Sequence, residues 1–280
     1  MKKSVLFLAF MFSVGMIFAQ SNISNVTQDG SDNAAEITQI GGQNQSLVVQ
    51  QNNLNSADIS QNGQSNVSEV QVAGGENIVT LAQDGDQNSG VSLISEANNV
   101  AAIAQTGNGN VTRQEVDNTG STITATQEGN NNKTIQTLSG AGNNTAFSQT
   151  VGSDNIVTQS IQGENTNVFV DQNGDRNAAA IDQIGVSNNI NARQFGNNNG
   201  MAVRQNGNNN FAGGENDVLL DQFGNNNATT LVQEGNENAA SILQDGNRND
   251  AINAQTGVGN NSIIDQMGNR NAAQVSQSEN

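Results

Sequence analysis

Apolar and polar residues alternate along short stretches of this chain, and each stretch is bounded by amides. In NAAEITQ, residues 33–39, every second position forms one side, which holds Asn, Ala, Ile and Gln, while Ala, Glu and Thr form the other. The same order returns in NGMAVRQ, residues 199–205, and in NAASILQ, residues 238–244. A period of two predicts a β-strand with one buried and one solvated face.

The stretches recur at a fixed spacing. If Gln occupies slot 0, then Gly falls at slot 2, Asn at slot 5 and the next Gln at slot 11, with small insertions. The chain from Asn22 onward holds 23 such units; Gln fills 18 of their slots, and the Asn slot is missing only at Ser121 and Thr166. A fixed period of this kind predicts a repeat architecture. The residues between Gln and Asn predict a tight turn in which Gly supplies the backbone angles that other residues resist.

The exceptions at the Gln slot show that the true unit is a pair of these half-repeats. The apolar replacements occupy every second slot, at Val72, Ile94, Val116, Leu138 and Ile161. Alternate half-repeats are therefore distinct, and each stacks on the half-repeat two slots further along. We predict an all-β fold, a β-solenoid of strand-turn-strand rungs with two 11-residue half-repeats each. About 11.5 rungs stack as parallel cross-β at a spacing of roughly 4.8 Å.

Stacking explains why amides recur. A buried amide is costly unless it is paired, and identical residues in register can each donate to one neighbour and accept from the other. The predicted ladder glutamines are Gln28, Gln39, Gln61, Gln83, Gln105, Gln127, Gln149, Gln172, Gln183, Gln194, Gln205, Gln222, Gln233, Gln244, Gln255 and Gln266. The predicted ladder asparagines are Asn33, Asn44, Asn66, Asn88, Asn110, Asn132, Asn177, Asn188, Asn199, Asn227, Asn238, Asn249, Asn260 and Asn271. The predicted turn glycines are Gly30, Gly41, Gly63, Gly85, Gly107, Gly129, Gly174, Gly185, Gly196, Gly224, Gly235, Gly246, Gly257 and Gly268.

Composition supports a thin core of small side chains. The 280 residues include no Pro, Cys, Trp, Tyr or His, and aromatic residues make up 3%. Such a chain lacks the bulky groups of an ordinary globular core, and its regular period argues against disorder. Without His or Cys there is no catalytic triad, thiol nucleophile or imidazole metal site, so we expect no enzyme, no cofactor and no metal.

The first residues follow a different pattern. Lys2 and Lys3 precede an apolar run that ends at Ala19, which predicts a secretory signal peptide, residues 1–19, cut between Ala19 and Gln20. The run is too short for a membrane span, and we expect no integral span elsewhere. Residues 20–280 then form one repeat domain, with a loop insertion near 211–216 that includes Phe211.

The net charge of the chain limits the classes of partner that can be expected. The formal charge is −17, and loss of the signal leaves 26 acidic and 7 basic residues, or −19. With no basic patch, nucleic acid is not an expected partner. Outward charges such as Asp182 and Arg193 are either a solvated face or like-charge columns that slow assembly. No capping segment is evident, so both ends are expected to be open edges that favour head-to-tail filaments.

The repeat QxGxxNxAxxxQ resembles the curlin repeat of curli amyloid fibre subunits. It occurs over 28–39, 172–183, 233–244 and 266–277, and the resemblance covers essentially the whole mature chain. The resemblance implies a secreted, extracellular subunit of a biofilm matrix that polymerises with itself and supports adhesion. It also implies a surface nucleator and an outer-membrane export channel as partners. Better-known members have about five repeats and a targeting segment before the first one, and this chain departs from them in both respects.

Other classes stay open at this point. Carboxylates such as Asp84 and Asp86 lie in variable turn slots rather than in one irregular site, which disfavours a glycosidase. Turns of the G-N-x-N kind differ from calcium-binding nonapeptide turns. A monomeric secreted solenoid that acts as an adhesin, or binds glycans or ice, remains the alternative, although exposed aromatics are few and the threonine run at 122–126 is isolated.

Overall fold

The alternating stretches form β-strands throughout. The computed structural model describes residues 21–213 and 220–279. The predicted signal peptide with its Ala19–Gln20 cleavage site lies outside the described residues, as do residues 214–216 of the predicted insertion. Within the described ranges there is no helix, hence none long and apolar enough to cross a membrane.

Twenty-four strands are found in the described residues. The first twelve are β1 (Ile23–Asp29), β2 (Ala34–Gly42), β3 (Gln45–Gln51), β4 (Ser56–Gln64), β5 (Val67–Val72), β6 (Ile78–Asp84), β7 (Ser89–Ile94), β8 (Val100–Thr106), β9 (Val111–Asp117), β10 (Thr122–Asn130), β11 (Lys133–Gly142) and β12 (Thr145–Ser153). The others are β13 (Ile156–Glu164), β14 (Asn167–Asn173), β15 (Ala178–Val186), β16 (Asn189–Phe195), β17 (Gly200–Asn206), β18 (Phe211–Ala212), β19 (Leu220–Phe223), β20 (Ala228–Asn236), β21 (Ala239–Asn247), β22 (Asp250–Val258), β23 (Asn261–Asn269) and β24 (Ala272–Ser278).

The strands alternate between two parallel sheets. Sheet 1 has the order β1-β3-β5-β7-β9-β11-β13-β15-β17-β20-β22-β24. Sheet 2 contains the even strands from β2 to β16, then β18 and β19 end to end in one rung, then β21 and β23. Each rung contributes one strand to each sheet, and every pairing is parallel. The predicted all-β solenoid of about 11 rungs with a 22-residue period is confirmed.

The register departs from the common spacing at two places. An extra residue separates partners between β10 and β12 and between β11 and β13, where Gln136 pairs with Gln159 and the pairing slips between Ser139 and Gly142. The insertion that follows Phe211 widens the spacing between β16 and β19 and between β17 and β20. Elsewhere the common spacing holds, so like slots lie above one another along the whole described solenoid.

The core lies between the two sheets and is one side chain thick on each side. Its largest fully buried residues are isoleucines and leucines, such as Ile59, Leu81 and Ile123, with valines and alanines in the other columns. Buried amides and hydroxyls share the same inward positions. The outward positions of each strand are exposed or half-buried, which is the predicted period of two.

Close stacking of the turns leaves no room for a side chain at the Gly slot. Gly63 has φ +126°, and a Cβ built on it would lie 2.0 Å from the carbonyl oxygen of Gly85, one rung away. Because the rungs repeat, each turn glycine meets the backbone of the next, as Gly85 meets Gly107 at 2.1 Å. The residue just before the Asn slot also adopts positive φ, for example Ser65 at +57°.

We expect Gly63→Ala to lower the free energy of unfolding by about 3 kcal/mol, because it combines a disfavoured φ with overpacking against backbone. Gly200 on β17 is the matched control, since a Cβ there meets nothing within 4 Å. Gly200→Ala should leave stability unchanged or raise it by up to about 1 kcal/mol. Urea unfolding of both variants measures the difference. Equal effects would show that the turns are not packed as described.

Candidate functional site

The inward glutamines form continuous ladders along the solenoid axis. In sheet 2, Gln39 Nε2 donates to Gln61 Oε1 at 2.7 Å, Gln61 to Gln83 at 2.8 Å, and Gln83 to Gln105 at 2.9 Å. Gln105 continues to Gln127 at 2.9 Å. All bonds point the same way, with the amide of one rung donating to the oxygen of the next rung along the chain. The ladder therefore has an acceptor end and a donor end.

Except for Gln28 and Gln183, each ladder glutamine also ties the two sheets together. The second hydrogen of its amide reaches the backbone at the start of the facing strand. Gln61 Nε2 donates to the carbonyl of Gln45 at 3.1 Å, and Gln105 Nε2 to that of Ser89 at 3.0 Å. Both hydrogens of a buried amide are thus used, one along the axis and one across the core, which removes the cost of burying it.

Two further ladders lie nearer the C-terminus. Sheet 2 resumes with Gln172, Gln194, Gln222, Gln244 and Gln266, joined by bonds of 2.7 to 2.9 Å. Sheet 1 carries Gln183, Gln205, Gln233, Gln255 and Gln277, joined by bonds of 2.7 to 3.0 Å. Gln28 and Gln50 form a short ladder at the start of sheet 1, at 2.7 Å. Gln50 and Gln277 were absent from the predicted set, although they occupy the same slot.

One predicted ladder residue is wrongly placed by the sequence reading. Gln149 pairs with Thr126, faces outward and is half-exposed, whereas Thr150 pairs with Gln127 and is buried. The reason is the extra residue between Ser139 and Gly142, which shifts the following strand by one position. The sheet 2 ladder is therefore interrupted at this rung by a hydroxyl.

Sequence reasoning missed a substitute ladder in sheet 1. On the last three of the five strands whose Gln slot is aliphatic, β9, β11 and β13, an amide column appears two positions earlier. Gln114 Nε2 donates to Gln136 Oε1 at 3.0 Å, and Gln136 to Gln159 at 2.7 Å. Their recurrence at intervals of 22 and 23 residues was the available signal.

The heads of interrupted ladders have buried oxygens without a hydrogen-bond partner in the described part of the chain. These atoms are the Oε1 of Gln114, Gln172 and Gln183. Each belongs to the first glutamine after an interruption, where the rung before it offers no amide. The direction of the ladders is therefore shown both by their hydrogen bonds and by the unpaired oxygen of the first glutamine in each ladder that follows an interruption.

The asparagines stack mainly from backbone N–H to side-chain oxygen, with additional amide-to-amide bonds in places, as from Asn260 Nδ2 to Asn238 Oδ1 at 3.0 Å. The N–H of Asn66 donates to Oδ1 of Asn44 at 3.0 Å, and the N–H of Asn88 donates to Oδ1 of Asn66 at 2.9 Å. The side-chain amide of Asn66 donates to the carbonyl of Gly85 at 2.7 Å, which ties the turn of the next rung. At the exceptional Ser121 the hydroxyl replaces the amide oxygen and accepts from the N–H of Asn144 at 3.0 Å.

All of the predicted asparagines stand in two such columns, one in each sheet. The structure places Asn44, Asn66, Asn88, Asn110, Asn132, Asn177, Asn199, Asn227, Asn249 and Asn271 at the starts of sheet 1 strands, and Asn33, Asn188, Asn238 and Asn260 at the starts of sheet 2 strands. Sheet 2 also includes asparagines outside the predicted set, such as Asn55, Asn77 and Asn99, which are buried and linked by N–H to Oδ1 bonds of 3.0 and 2.8 Å.

The turn carboxylates take part in a third column, on the surface. Asp86 Oδ1 accepts the N–H of Gln64 at 2.8 Å, and the N–H of Asp86 in turn donates to Asn108 Oδ1 at 2.9 Å. Asp84 Oδ1 accepts from Asn62 Nδ2 at 2.9 Å. These residues hold neighbouring turns in register, and no described group of three or more acidic residues lies close enough to bind a metal ion.

Some outward charges alternate in sign where they stack, whereas Glu36 and Asp58 stack with like charge. Arg193 stands between Asp171 and Asp221, and its Nε donates to Asp221 Oδ1 at 2.8 Å. Burial raises the pKa of Asp171 more than the charge of Arg193 lowers it, and the hydrogen bond to Asp221 raises the pKa of Arg193. Asp182 pairs with Arg204 across 3.9 Å. The two charges named from the sequence therefore lie in opposite-charge columns, not in like-charge columns.

The aromatic residues of the middle rungs stack in the same manner. Phe147 and Phe169 have ring centroids 4.9 Å apart with planes inclined by 1°, and Phe195 and Phe223 are 5.4 Å apart at 10°. Phe211 is exposed at the edge of the insertion. None of these rings interrupts the register of the rungs.

Comparison with known proteins agrees with this geometry. Residues 213–246 and 224–252 match the family model of the curlin associated repeat. The matched part includes β20 and β21, whose Gln, Gly and Asn slots have the same arrangement as the rungs described above. None of the curated proteins compared with the chain matches it.

We expect Gln105→Leu to destabilise the protein by about 2 kcal/mol or more, because it leaves the Gln83 amide and the Gln127 oxygen short of a partner. Leu138→Gln should cost a similar amount, since it buries an amide in an apolar column. The control is Gln162→Leu, an exposed outward position, with a change within about 0.5 kcal/mol. Denaturant unfolding measures all three. If Gln105→Leu is as mild as the control, the ladder does not stabilise the core.

Proposed function

We propose, on the premise that this chain is a curlin-repeat protein, that it is a secreted subunit of an extracellular amyloid fibre. It assembles with itself by continuing the stack of rungs across chain boundaries. The fibre serves as a structural scaffold of a biofilm matrix. The proposed further partners are a surface nucleator and an outer-membrane export channel.

The observation that carries the proposal is the direction of the glutamine ladders. At the C-terminal side of the described solenoid, Gln266 and Gln277 present side-chain amides that have no described rung beyond them. At the opposite side, Gln28 and Gln39 present the oxygens that such amides bond elsewhere in the ladder. Donors meet acceptors only if two copies stack in the same direction, and stacking in opposite directions would face oxygen with oxygen. The ladders therefore favour head-to-tail growth.

The core supports the same arrangement. Val26, which faces inward on β1, is 48% exposed, whereas its column neighbour Val48 on β3 is 0% exposed. Val275 on β24 is likewise only half-buried. The unpaired backbone of β1, β2, β23 and β24 adds edges of the kind that template another chain. A second copy at either side would bury the apolar groups and pair these edges.

Growth is expected to be sensitive to charge at the inward edge. Val275→Lys should slow elongation about tenfold or more, because an ammonium group would have to enter the core when the next copy stacks. Ser276→Lys places the same charge on the outward side of the same strand and should elongate nearly as the parent chain does. Seeded thioflavin kinetics with purified mature chain measure both rates.

Fibre diffraction tests the proposal as a whole. Filaments with a meridional reflection at about 4.7–4.8 Å are the expected result. A mature chain that stays folded and monomeric for days at high concentration would overturn the fibre proposal. The alternative, a monomeric solenoid adhesin, would then be pursued.

A further inference from the structure

The outer face of sheet 1 carries apolar side chains on every second strand of its first half. Leu47 and Val49 lie outward on β3, Val91 and Leu93 on β7, and Ile135 on β11. All five are half-buried by their neighbours within the sheet, and no described strand packs over them. Apolar groups in such a contiguous array mark a contact surface rather than a solvated one.

The strands between these apolar rows carry charges of opposite sign at the same outward position. Glu69 on β5 and Arg113 on β9 are the two column neighbours of Val91 on β7. Strand β7 is therefore midway between an acidic and a basic row. The charges are about two strand spacings apart, roughly 9.6 Å, and are not paired with each other. Arg113 contacts Glu115 on its own strand at 3.1 Å, and both side chains remain about half exposed.

Residues at equal distances on either side of β7 are complementary. One strand away, Val67 on β5 has Val111 on β9 as its counterpart, and Gln71 has Glu115. These positions place apolar against apolar and amide against carboxylate. With Glu69 against Arg113, all three outward residues of β5 have complementary counterparts on β9, whose fourth outward residue, Asp117, lies beyond the end of β5.

The match continues to the neighbouring strands. Two strands from β7, Leu47 on β3 corresponds to Ile135 on β11, and Gln45 corresponds to Lys133. Three strands away, Ile23 on β1 corresponds to Ile156 on β13. The outward pattern is therefore palindromic about β7 at most positions across seven strands of sheet 1, and Val49 on β3, which corresponds to Thr137 on β11, departs from it.

From this palindrome we infer that the outer face of sheet 1, from β1 to β13, binds the same face of a second copy of this chain. The two solenoids lie face to face and antiparallel, related by a twofold axis that runs along β7. Such an axis brings each residue against its counterpart, so Glu69 of one copy meets Arg113 of the other, twice per dimer.

The charged residues of this face determine how the two copies are oriented relative to each other. If the twofold axis ran along the solenoid instead, each rung would face its own copy, and Glu69 would meet Glu69 while Arg113 met Arg113. Like charges in contact are strongly disfavoured, so only the antiparallel arrangement fits. The face carries little of the chain's charge of −17, since Asp29, Glu69, Glu115 and Asp117 stand against Arg113 and Lys133, which leaves −2. Overall repulsion at this surface is therefore small.

The size of the face sets the expected affinity. Seven strands with three outward residues each cover about 600 Å² per copy, or about 1,200 Å² in total. This is the lower end of specific interfaces, and a dissociation constant on the order of micromolar is expected. The contact is independent of end-to-end growth, because it uses the side of the solenoid.

Cross-linking distinguishes this contact from every end-to-end one. The chain has no cysteine, so Ser89→Cys on β7 gives the mature protein a single thiol at the proposed axis, which a short bis-maleimide can join to its counterpart across a gap of about 10 Å. Thr80→Cys, on the exposed outer face of sheet 2, is the matched control. End-stacked copies place the Ser89 positions roughly 55 Å apart. We expect efficient dimer cross-linking for Ser89→Cys and little for Thr80→Cys.

A charge exchange tests the pairing itself. In the Ser89→Cys background, Arg113→Glu should weaken dimerisation about tenfold or more, and Glu69→Arg should do the same. The double variant Glu69→Arg with Arg113→Glu should restore it, and this restoration also shows that the single variants are folded. Sedimentation equilibrium of the same four proteins gives the dissociation constants.

Two results would overturn the inference. One is equal cross-linking of the Ser89→Cys and Thr80→Cys proteins. The other is a double variant that dimerises no better than the single ones, which would mean that Glu69 and Arg113 do not meet. Either result can arise whether or not the chain forms fibres, and failure of fibre growth would leave the lateral dimer intact.

Discussion

The structure depends on one constraint, the parallel stacking of rungs in register at a spacing of about 4.8 Å. At this distance a side chain contacts the same slot of the neighbouring rung before it contacts anything else along the axis. The oxygen of a buried Gln then finds its donor in the amide of the neighbouring slot, as in the column from Gln39 to Gln127. The same spacing excludes a Cβ at Gly63, which would lie 2.0 Å from the next carbonyl oxygen. Each rung therefore requires neighbouring rungs with the same residues in the same slots, and no rung is stable alone.

The interruptions show that the residues of one column must be of one kind, either all amides or all aliphatic, and that they need not be polar. From Val72 to Ile161 the Gln slot of sheet 1 is aliphatic in every rung, and these residues are fully buried. Either kind of column is self-consistent, but a change of kind leaves an oxygen without a donor, as at Gln172 and Gln183. Since each change costs an unsatisfied buried atom, changes are expected to be few, and long uniform runs are preferred. The substitute ladder of Gln114, Gln136 and Gln159 keeps the sheets tied where the main slot cannot.

The period of two, the turns, the two-strand rung and most residues of the main glutamine ladders could be predicted, because each follows from the spacing of identical residues in the sequence. The position of Gln149 could not. An extra residue lies somewhere between Leu138 and Ile161. The sequence allows it on either side of Gln149, because this residue is a Gln at the spacing expected for the Gln slot. The backbone decides by absorbing the residue between Ser139 and Gly142, where the turn can bulge. The direction of the ladders could not be predicted from the sequence either. A column of amides can form hydrogen bonds in either direction along the axis, and only the structure shows which direction is adopted.

Inward and outward positions are under different constraints. Every inward residue contacts the same slot in the rungs above and below it, so its identity follows from the repeat. An outward residue meets water, and stacking alone would tolerate almost any polar choice there. The outer face of sheet 1 nevertheless carries valine, leucine and isoleucine in ordered rows, separated by charges of opposite sign. Stacking gives no reason for this order, because the pattern does not repeat with the rung. Its cause must therefore lie in contacts made by the face as a whole, outside the single solenoid.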